Sequence, residues 1–300
     1  MSFDLVILYY IIDYDIFSLR IVSKEFHEII KQAIFIYKIK YKKYIYIDYL
    51  KNKYINIQLH CTPPKDITNV LNLDKLHKLN MNYCRNITDV SILNKLNTLE
   101  LKGCKIKDVS MLGKLDTLDI SGCKEIQDVS MLGKLNTLDI SCCQQITNIS
   151  DLGNLHTLKI NYCKKIKNIS DLGNLHTLEM RGCEQIIDVS NLDKLNRLYI
   201  SYCRNIKNIS MLGNLRILDI GSCNEITDVS NLGNLHSLYM SYCRNIKDVS
   251  MLYKLHTIDM RGCIQITDVS MLHKLYKLDI RDCTNIIEFP IHHNITHYIK

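Results

Sequence analysis

Hydrophobic residues recur along most of the chain with a period of about 20 residues. A representative copy is LNTLDISCCQQITNISDLGN, from Leu135 to Asn154. Residues 137–141 within it alternate polar and apolar side chains, which is the pattern of a half-buried β-strand. After the cysteine the apolar spacing becomes three, at Ile146, Ile149, Leu152 and Leu155. A spacing of three favours short turns or a 3₁₀-like return, so each copy predicts one strand followed by a tight turn.

Cysteine marks the same position in every copy. It occurs at residues 84, 104, 123, 143, 163, 183, 203, 223, 243, 263 and 283. The spacing is 20 residues except for one step of 19. A single repeat cannot bury its own apolar edge, whereas stacked repeats bury a continuous core. We therefore expect eleven repeats over residues 67–289 to form one solenoid, with parallel strands on a concave face.

The unit resembles the leucine-rich repeat, whose signature is L-x-x-L-x-L-x-x-[NC]-x-L. The copies here follow L-x-x-L-x-[IL]-x-x-C-x-x-I. The resemblance covers residues 67–289 and implies an α/β leucine-rich-repeat solenoid that recognises another protein.

Two small residues in the repeat predict how each return begins and ends. Serine precedes x-L-G at residues 110, 130 and 150, and we expect it to be the N-cap of a short helical turn. Glycine follows at 113, 133, 153, 173, 213 and 233, and we expect these glycines to leave the turn with a positive φ.

The recurrent cysteines and histidines raise the question of metal or catalytic chemistry. The chain has 13 cysteines but no C-x-x-C pair, and zinc sites need short paired spacings. We expect buried thiols that donate weakly to backbone carbonyls, with a redox role as the remaining alternative. His156, His176, His236 and His256 recur in L-H-[TS] without a carboxylate at ligand spacing. No cofactor, metal site or catalytic residue is predicted, and the protein is not expected to be an enzyme.

Residues outside the repeats divide into three segments. We expect a small helical module at 1–40, a connector and N-terminal cap at 41–66, and a C-terminal tail or cap at 290–300. Two helical patterns are visible in the first segment, with apolar residues at helical spacing. The residues predicted to form a docking face are Leu5, Leu8, Leu19, Val22 and Phe26.

The string DIFSLRIVSKEF, residues 15–26, resembles the F-box signature, in which Asp and Leu precede L-R-x-V-S-K-x-[FW]. This resemblance implies docking to a Skp-type adaptor. The repeats would then present a captured protein to a cullin-based ubiquitin ligase as its substrate-recognition subunit. Two alternatives are a binding scaffold with no ubiquitin-ligase link, and an N-terminal segment that only caps the first repeat.

The outward strand positions are the candidate partner-binding residues. Seven of the eleven residues in the central outward column are acidic: Glu100, Asp119, Asp139, Glu179, Asp219, Asp259 and Asp279. We expect Lys102, Arg181, Arg261 and Arg281, each two residues further on, to relieve their mutual repulsion. Both a self-neutralised surface and an acidic groove for basic partners remain open. A second candidate patch combines Arg197, Tyr199, Tyr202, Arg216, Tyr239 and Tyr242, because Tyr and Arg are enriched at interface hot spots.

Composition limits the remaining functions. The net charge of +7 is spread over the chain with acids interleaved, so no nucleic-acid partner is expected. The N-terminal apolar run is short and has no preceding Lys or Arg, and no run reaches the length of a membrane span. An intracellular, cytoplasmic monomer with no membrane partner is therefore expected.

Overall fold

A computed structural model of the chain describes residues 35–39, 57–61, 63–68, 70, 73–290 and 297–299. Fourteen short strands in these residues form one parallel sheet in chain order. They are β1 (Phe35–Ile39), β2 (Ile57–Cys61), β3 (Lys78–Asn80), β4 (Thr98–Glu100), β5 (Thr117–Asp119), β6 (Thr137–Asp139), β7 (Thr157–Lys159), β8 (Thr177–Glu179), β9 (Arg197–Tyr199), β10 (Ile217–Asp219), β11 (Ser237–Tyr239), β12 (Thr257–Asp259), β13 (Lys277–Asp279) and β14 (His297–Ile299).

The register places the same position of successive repeats side by side. Leu118 of β5 pairs with Leu138 of β6, and Leu138 pairs with Leu158 of β7. All three leucines are 0% exposed, and the outward residues on either side of them are partly exposed. The apolar residues of the returns join them in one continuous buried core. The alternation read from the sequence is thus the inside–outside alternation of each strand.

The eleven predicted strands are β3 to β13. The sheet also extends further, because β1 and β2 precede the first predicted repeat and β14 pairs with β13. Residues 35–39 lie in the segment predicted to be helical, and they form a strand instead. The five predicted adaptor-binding residues, Leu5, Leu8, Leu19, Val22 and Phe26, lie outside the described residues.

The returns between strands contain 3₁₀ turns, and the described residues contain no α-helix. The 3₁₀ turns are Leu73–Lys75, Ser91–Leu93, Ser110–Leu112, Ser130–Leu132, Ser150–Leu152 and Ser230–Leu232. The expected α/β class is therefore wrong for the described chain, which is a parallel β-solenoid. A 3₁₀ helix has three residues per turn, so an apolar spacing of three turns one face of the return toward the core.

The predicted serine caps are also wrong. Ser130 is the first residue of its 3₁₀ turn, Val129 is the N-cap, and no side chain caps that turn through the N-cap position. The backbone N–H of Ser130 instead donates to Oδ1 of Asp128 at 2.8 Å. The backbone N–H of Ser150 donates in the same way to Oδ1 of Asn148 at 3.1 Å. The residue two positions before the serine therefore orders the turn, as Asp and Asn side chains commonly do.

The glycines that end the returns do not have the predicted positive φ. Gly113, Gly133 and Gly153 have φ of −66°, −64° and −60°, which any residue can adopt. Close packing between repeats explains why glycine occurs at these positions instead. A β-carbon on Gly133 would lie 2.1 Å from the carbonyl oxygen of Asp151 in the next repeat. Glycine is needed there because two backbones approach each other closely.

Positive φ occurs instead at the residue before each recurrent cysteine. Glycine fills this position at Gly103, Gly122, Gly182 and Gly262. Residues with side chains fill it at Tyr83, Cys142, Tyr162, Tyr202, Ser222, Tyr242 and Asp282. This left-handed residue lets the chain turn from the strand so that the next residue, cysteine, points into the core.

The cysteine column is a ladder of thiols, buried from Cys84 to Cys263 as predicted and half-buried at Cys283. Cys143 donates its Sγ–H to the carbonyl oxygen of Ile120 at 3.2 Å, and Cys163 donates to Ile140 at 3.1 Å. Equivalent bonds link the other repeats from Cys104 to Cys283. Each thiol therefore ties its repeat to the strand of the preceding one.

Candidate functional site

The outward residues of β3 to β13 form the strand face, which contains all the predicted partner-binding residues except Tyr202, Arg216 and Tyr242. Tyr202 and Tyr242 lie at its edge, in the left-handed position, and are 48% and 43% exposed. Arg216 lies just before β10. Parallel register stacks the central outward residues, so Asp119 pairs with Asp139 and Asp259 pairs with Asp279.

Basic side chains neutralise most of the acidic column. Nη2 of Arg181 lies 3.1 Å from Oδ2 of Asp219. Nη1 of the same guanidinium lies 3.7 Å from Oε2 of Glu179. Arg261 and Arg281 pair with Asp259 and Asp279 at 2.9 and 2.7 Å. The hydrogen bonds from Arg281 hold the pKa of Asp279 below its ordinary value. The self-neutralised interpretation is therefore correct for this part of the face.

The predicted relief of Glu100 by Lys102 is wrong. Glu100 pairs with Lys78 of the preceding strand, with Nζ 2.6 Å from Oε1, and it accepts a hydrogen bond from Asn80. The side chain of Lys78 starts on the neighbouring strand, in the adjacent outward column, and reaches across to the carboxylate. Lys102 is exposed.

Asp119 and Asp139 form no ion pair with any of the described residues. Each accepts the backbone N–H of the serine two residues on, Ser121 at 2.8 Å and Ser141 at 2.9 Å. Burial raises the pKa of Asp139, and the neighbouring Asp119 charge acts in the same direction, while the bonds from Ser141 oppose it. The ionised form of Asp139 is therefore less favourable in the folded chain than in the unfolded chain.

Replacing Asp139 with asparagine should stabilise the solenoid at neutral pH. A raised folded pKa means that the folded chain binds a proton more tightly than the unfolded chain, so wild type gains stability as pH falls through that pKa. The advantage of Asp139→Asn should shrink accordingly as pH falls toward the unfolded value of about 4. Urea unfolding from neutral to acid pH measures this, with the exposed Asp171→Asn as control. A difference in unfolding free energy between Asp139→Asn and wild type that stays the same at every pH would contradict this prediction.

A depression lies at Tyr202, Tyr239 and Tyr242, three of the six residues of the second candidate patch. Its volume is about 280 Å³. It brings together Tyr202, Asp219, Tyr239, Tyr242 and Asp259 with Ser201, Gly221, Ser222, Ser241 and Arg261. Tyr199 lies outside this lining, with the Arg181 guanidinium 4.8 Å from its ring centre. Arg197 and Arg216 do not line it either, because both lie before the central column of their repeats.

Gly221 is the feature of this depression that the sequence reasoning missed. It occupies the outward position two residues after the central column, where the neighbouring repeats have Ser201 and Ser241. A β-carbon there would lie 3.4 Å from Oγ of Ser201, an ordinary contact, and its φ is not in the left-handed region. The fold does not require glycine at this position. The signal was present in the sequence as the one glycine of that column.

The floor of the depression has no free charge. Asp219 accepts hydrogen bonds from the Ser201 hydroxyl and from Nε and Nη2 of Arg181. Asp259 is held in the same way by Ser241, with Oγ 2.6 Å from Oδ1, and by Arg261. The hydroxyls of Tyr202, Tyr239 and Tyr242 have no hydrogen-bond partner among the described residues. The site can therefore offer aromatic surface and hydroxyl groups to a partner.

The recurrent histidines stack in pairs at the start of the strands. The rings of His156 and His176 are 5.2 Å apart with an interplanar angle of 16°, and those of His236 and His256 are 5.3 Å apart. Among the described residues no group of three or more His, Cys, Asp or Glu side chains is placed to hold a metal ion. Within the same part of the chain, no helix has the length and apolarity needed to cross a membrane.

Comparison with known proteins gives structural matches only: no family model matches the sequence, and no curated protein does. An internalin, InlF from Listeria monocytogenes, matches with a TM-score of 0.52 and 23% identity, over 79% of this chain and 75% of that one. The functional domain of InlJ from the same organism, which includes a cysteine ladder, matches with a TM-score of 0.49 and 22% identity, over 74% and 56%.

The leucine-rich repeat domain of the type III effector XopL matches less of this chain, 61%, against 67% of its own, with a TM-score of 0.38 and 19% identity. At such identities the similarity to InlF concerns the fold alone. Together with the repeat, the strand register and the buried core, it shows that the described residues have the leucine-rich-repeat fold, a parallel β-solenoid.

Proposed function

We propose that this protein is a non-enzymatic recognition scaffold and that its strand face binds another protein. The observation that carries the proposal is the depression at Gly221. It is a recess lined by three tyrosines, and its glycine lies where a β-carbon would fit.

The lining of the depression supports protein recognition. Tyrosine is enriched at the centres of protein interfaces, because it offers a large rigid surface and a hydroxyl at low entropic cost. Tyr239 is 36% exposed in the folded chain, and the two tyrosines at the edge are more exposed. The carboxylates beneath them are already paired with arginine, so a partner can bury this surface without leaving an isolated charge.

Filling the depression should abolish partner binding without unfolding the protein. Gly221→Leu adds an outward side chain at a position that accepts a β-carbon, so its stability should be within about 0.5 kcal/mol of wild type. The matched control is Lys102→Leu, which adds the same side chain at an exposed position of the same column, outside the depression.

The measurement is quantitative mass spectrometry of proteins cross-linked to each full-length variant in cell extract. Proteins that depend on the depression should be enriched at least about tenfold on wild type and Lys102→Leu over Gly221→Leu. Identical protein sets on all three folded variants would overturn the proposal.

We further propose that the scaffold is the substrate-recognition subunit of a cullin/Skp-type ubiquitin ligase. The support is the resemblance of residues 15–26 to the F-box signature. Holding a target near a ligase raises its effective concentration without any chemistry by this chain. We also propose that the protein is a monomer in the cytoplasm. The alternative is a leucine-rich-repeat scaffold with no ligase link.

Purified Skp-type adaptor distinguishes these two possibilities. Wild type should bind the adaptor, and Leu19→Asp/Val22→Asp should not, while circular dichroism shows that the repeats of both remain folded. A folded wild type that binds no adaptor would leave the plain scaffold as the function.

A further inference from the structure

Three tyrosines in alternate repeats form a row along the edge of the strand face. Tyr162, Tyr202 and Tyr242 occupy the left-handed position before the cysteine, with φ of 60°, 65° and 61°. Their side chains are 47%, 48% and 43% exposed. Bulky residues rarely adopt this conformation. Of the other eight repeats, four have glycine here, three have the smaller Cys142, Ser222 or Asp282, and one has Tyr83. A large, exposed side chain in this conformation is the observation that motivates a search for its role.

Packing fixes the positions of two of these rings, Tyr162 and Tyr242. A β-carbon on Gly182 would lie 2.7 Å from Cδ1 of Tyr162, and one on Gly262 would lie 2.5 Å from Cδ1 of Tyr242. Each of these two tyrosines therefore lies against the glycine of the following repeat. The three tyrosine hydroxyls have no hydrogen-bond partner among the described residues, so the row offers ordered aromatic surface with free hydroxyls.

A cation follows each tyrosine two positions later. The sequence reads Y-C-K at Lys164 and Y-C-R at Arg204 and Arg244. All three cations are exposed. Unlike Arg181 and Arg261, none of them forms an ion pair with any residue that the structure describes. The intervening repeats carry Glu184 and Asn224 at this position.

The spacing of the row selects the conformation of a ligand. Strands two repeats apart are separated by about 9.6 Å. One turn of a polyproline II helix is three residues and about 9.3 Å. Every third residue of such a helix therefore returns to the same face once per tyrosine. An extended β-strand returns to the same face every second residue, about 6.6 Å, and does not match.

We propose that the row of Tyr162, Tyr202 and Tyr242 binds an acidic, proline-rich segment of another protein in the polyproline II conformation. Prolines pack between and against the tyrosine rings, the hydroxyls donate to peptide carbonyls, and acidic residues meet Lys164, Arg204 and Arg244. The 300 residues contain three prolines, Pro63, Pro64 and Pro290, and none of them lies in a proline-rich segment, so the ligand is assigned to another protein. The inference deepens the proposed function, since it names the class of partner at the edge of the same depression.

Fluorescence anisotropy with a labelled peptide of four Pro-Pro-Glu triplets tests the proposal. The full-length protein should bind this peptide, and added salt should weaken the binding. A peptide of four Pro-Pro-Lys triplets and a flexible peptide of four Gly-Ser-Glu triplets should bind at least about tenfold more weakly. Equal binding of either control peptide, or no binding of the acidic proline peptide, would overturn the inference.

Two sets of variants locate the binding. Tyr162→Ser/Tyr202→Ser removes two rings and places serine where the chain already uses it at Ser222 with φ of 62°. Arg204→Asn/Arg244→Asn introduces the residue found at Asn224 and leaves every tyrosine in place. Each pair should weaken binding at least about tenfold. Tyr83→Ser is the control, since Tyr83 is a single tyrosine outside the row with Lys65 already 5.6 Å from its ring centre.

Other outcomes separate this inference from the proposed function. Unchanged peptide binding in both variant pairs would overturn the row as the site. Tighter binding of oligo(dT) than of the peptide, lost in the tyrosine pair, would overturn the peptide in favour of single-stranded nucleic acid. If Gly221→Leu loses captured proteins while wild type binds no proline peptide, the scaffold function stands and this inference fails.

Discussion

Replacing Gly133 with alanine should destabilise the solenoid by about 3 kcal/mol, at the upper end of the cost of overpacking. The added β-carbon would lie 2.1 Å from the carbonyl oxygen of Asp151. That atom belongs to the backbone of the next repeat, so relief requires two repeats to move apart along the core. Because each repeat is held mainly by its two neighbours, the loss of one interface divides the solenoid into two weaker parts.

The matched control is Gly213→Ala, in the same position of a different repeat. Its β-carbon would lie 3.4 Å from the carbonyl oxygen of Asn231, which is ordinary contact. Alanine there should be neutral or stabilising by up to about 1 kcal/mol, because it restricts the unfolded chain. Urea unfolding of both variants gives the comparison. Similar midpoints for the two would show that the crowding at Gly133 is relieved at no cost.

The buried thiols should be inert in the folded protein, and Cys142 should be the reactive cysteine among residues 84–283. Burial raises the pKa of Cys163 and Cys203 to about 11 and that of Cys183 to about 12. At pH 8 about one in a thousand thiols with a pKa of 11 is ionised, and the thiolate is the reactive form. Cys142 is exposed, in the left-handed position beside the ladder.

An aromatic disulfide reagent at pH 8 measures this difference in the folded protein. In a Cys61→Ser background, chosen because Cys61 lies outside the ladder, one thiol should react at least about a hundredfold faster than the rest. Cys142→Ser should remove that phase, and denaturant should expose all the ladder thiols. Several fast-reacting thiols in the folded Cys142→Ser variant would show that the ladder thiols are accessible. That result would contradict the prediction and support the redox alternative.

The repeat architecture could be predicted from the sequence because its signals are local and repeated. The alternation around Leu138 requires a strand, and the spacing of three after Cys143 requires a tight return. The spacing recurs throughout, and the alternation recurs in every copy except that of β10, where Ile217 replaces the polar residue, so chance agreement is excluded. The thiol ladder was predictable for the same reason, since paired metal-binding spacings are absent and a small buried group must still satisfy its donor.

The turn chemistry was predicted less well, because sequence identity alone does not reveal which rule a residue follows. Serine before x-L-G suits a cap, but the N–H of Ser130 is itself the donor, and Asp128 is the acceptor. Gly133 suits a left-handed exit, yet it is required by the approach of Asp151 from the next repeat. Contacts between repeats decided both cases, and the order of residues within one repeat does not contain them.

The sequence likewise predicted one part of the candidate site and not the other. The sequence by itself determined which side chains face outward, because the period of a strand fixes that for Asp219 and Tyr239 alike. Only the tertiary structure decided which charges cancel: Arg181 reaches past one whole repeat to Asp219, and Glu100 takes Lys78 instead of Lys102. Long side chains select partners by distance across neighbouring strands, and that distance exists only once the repeats are stacked.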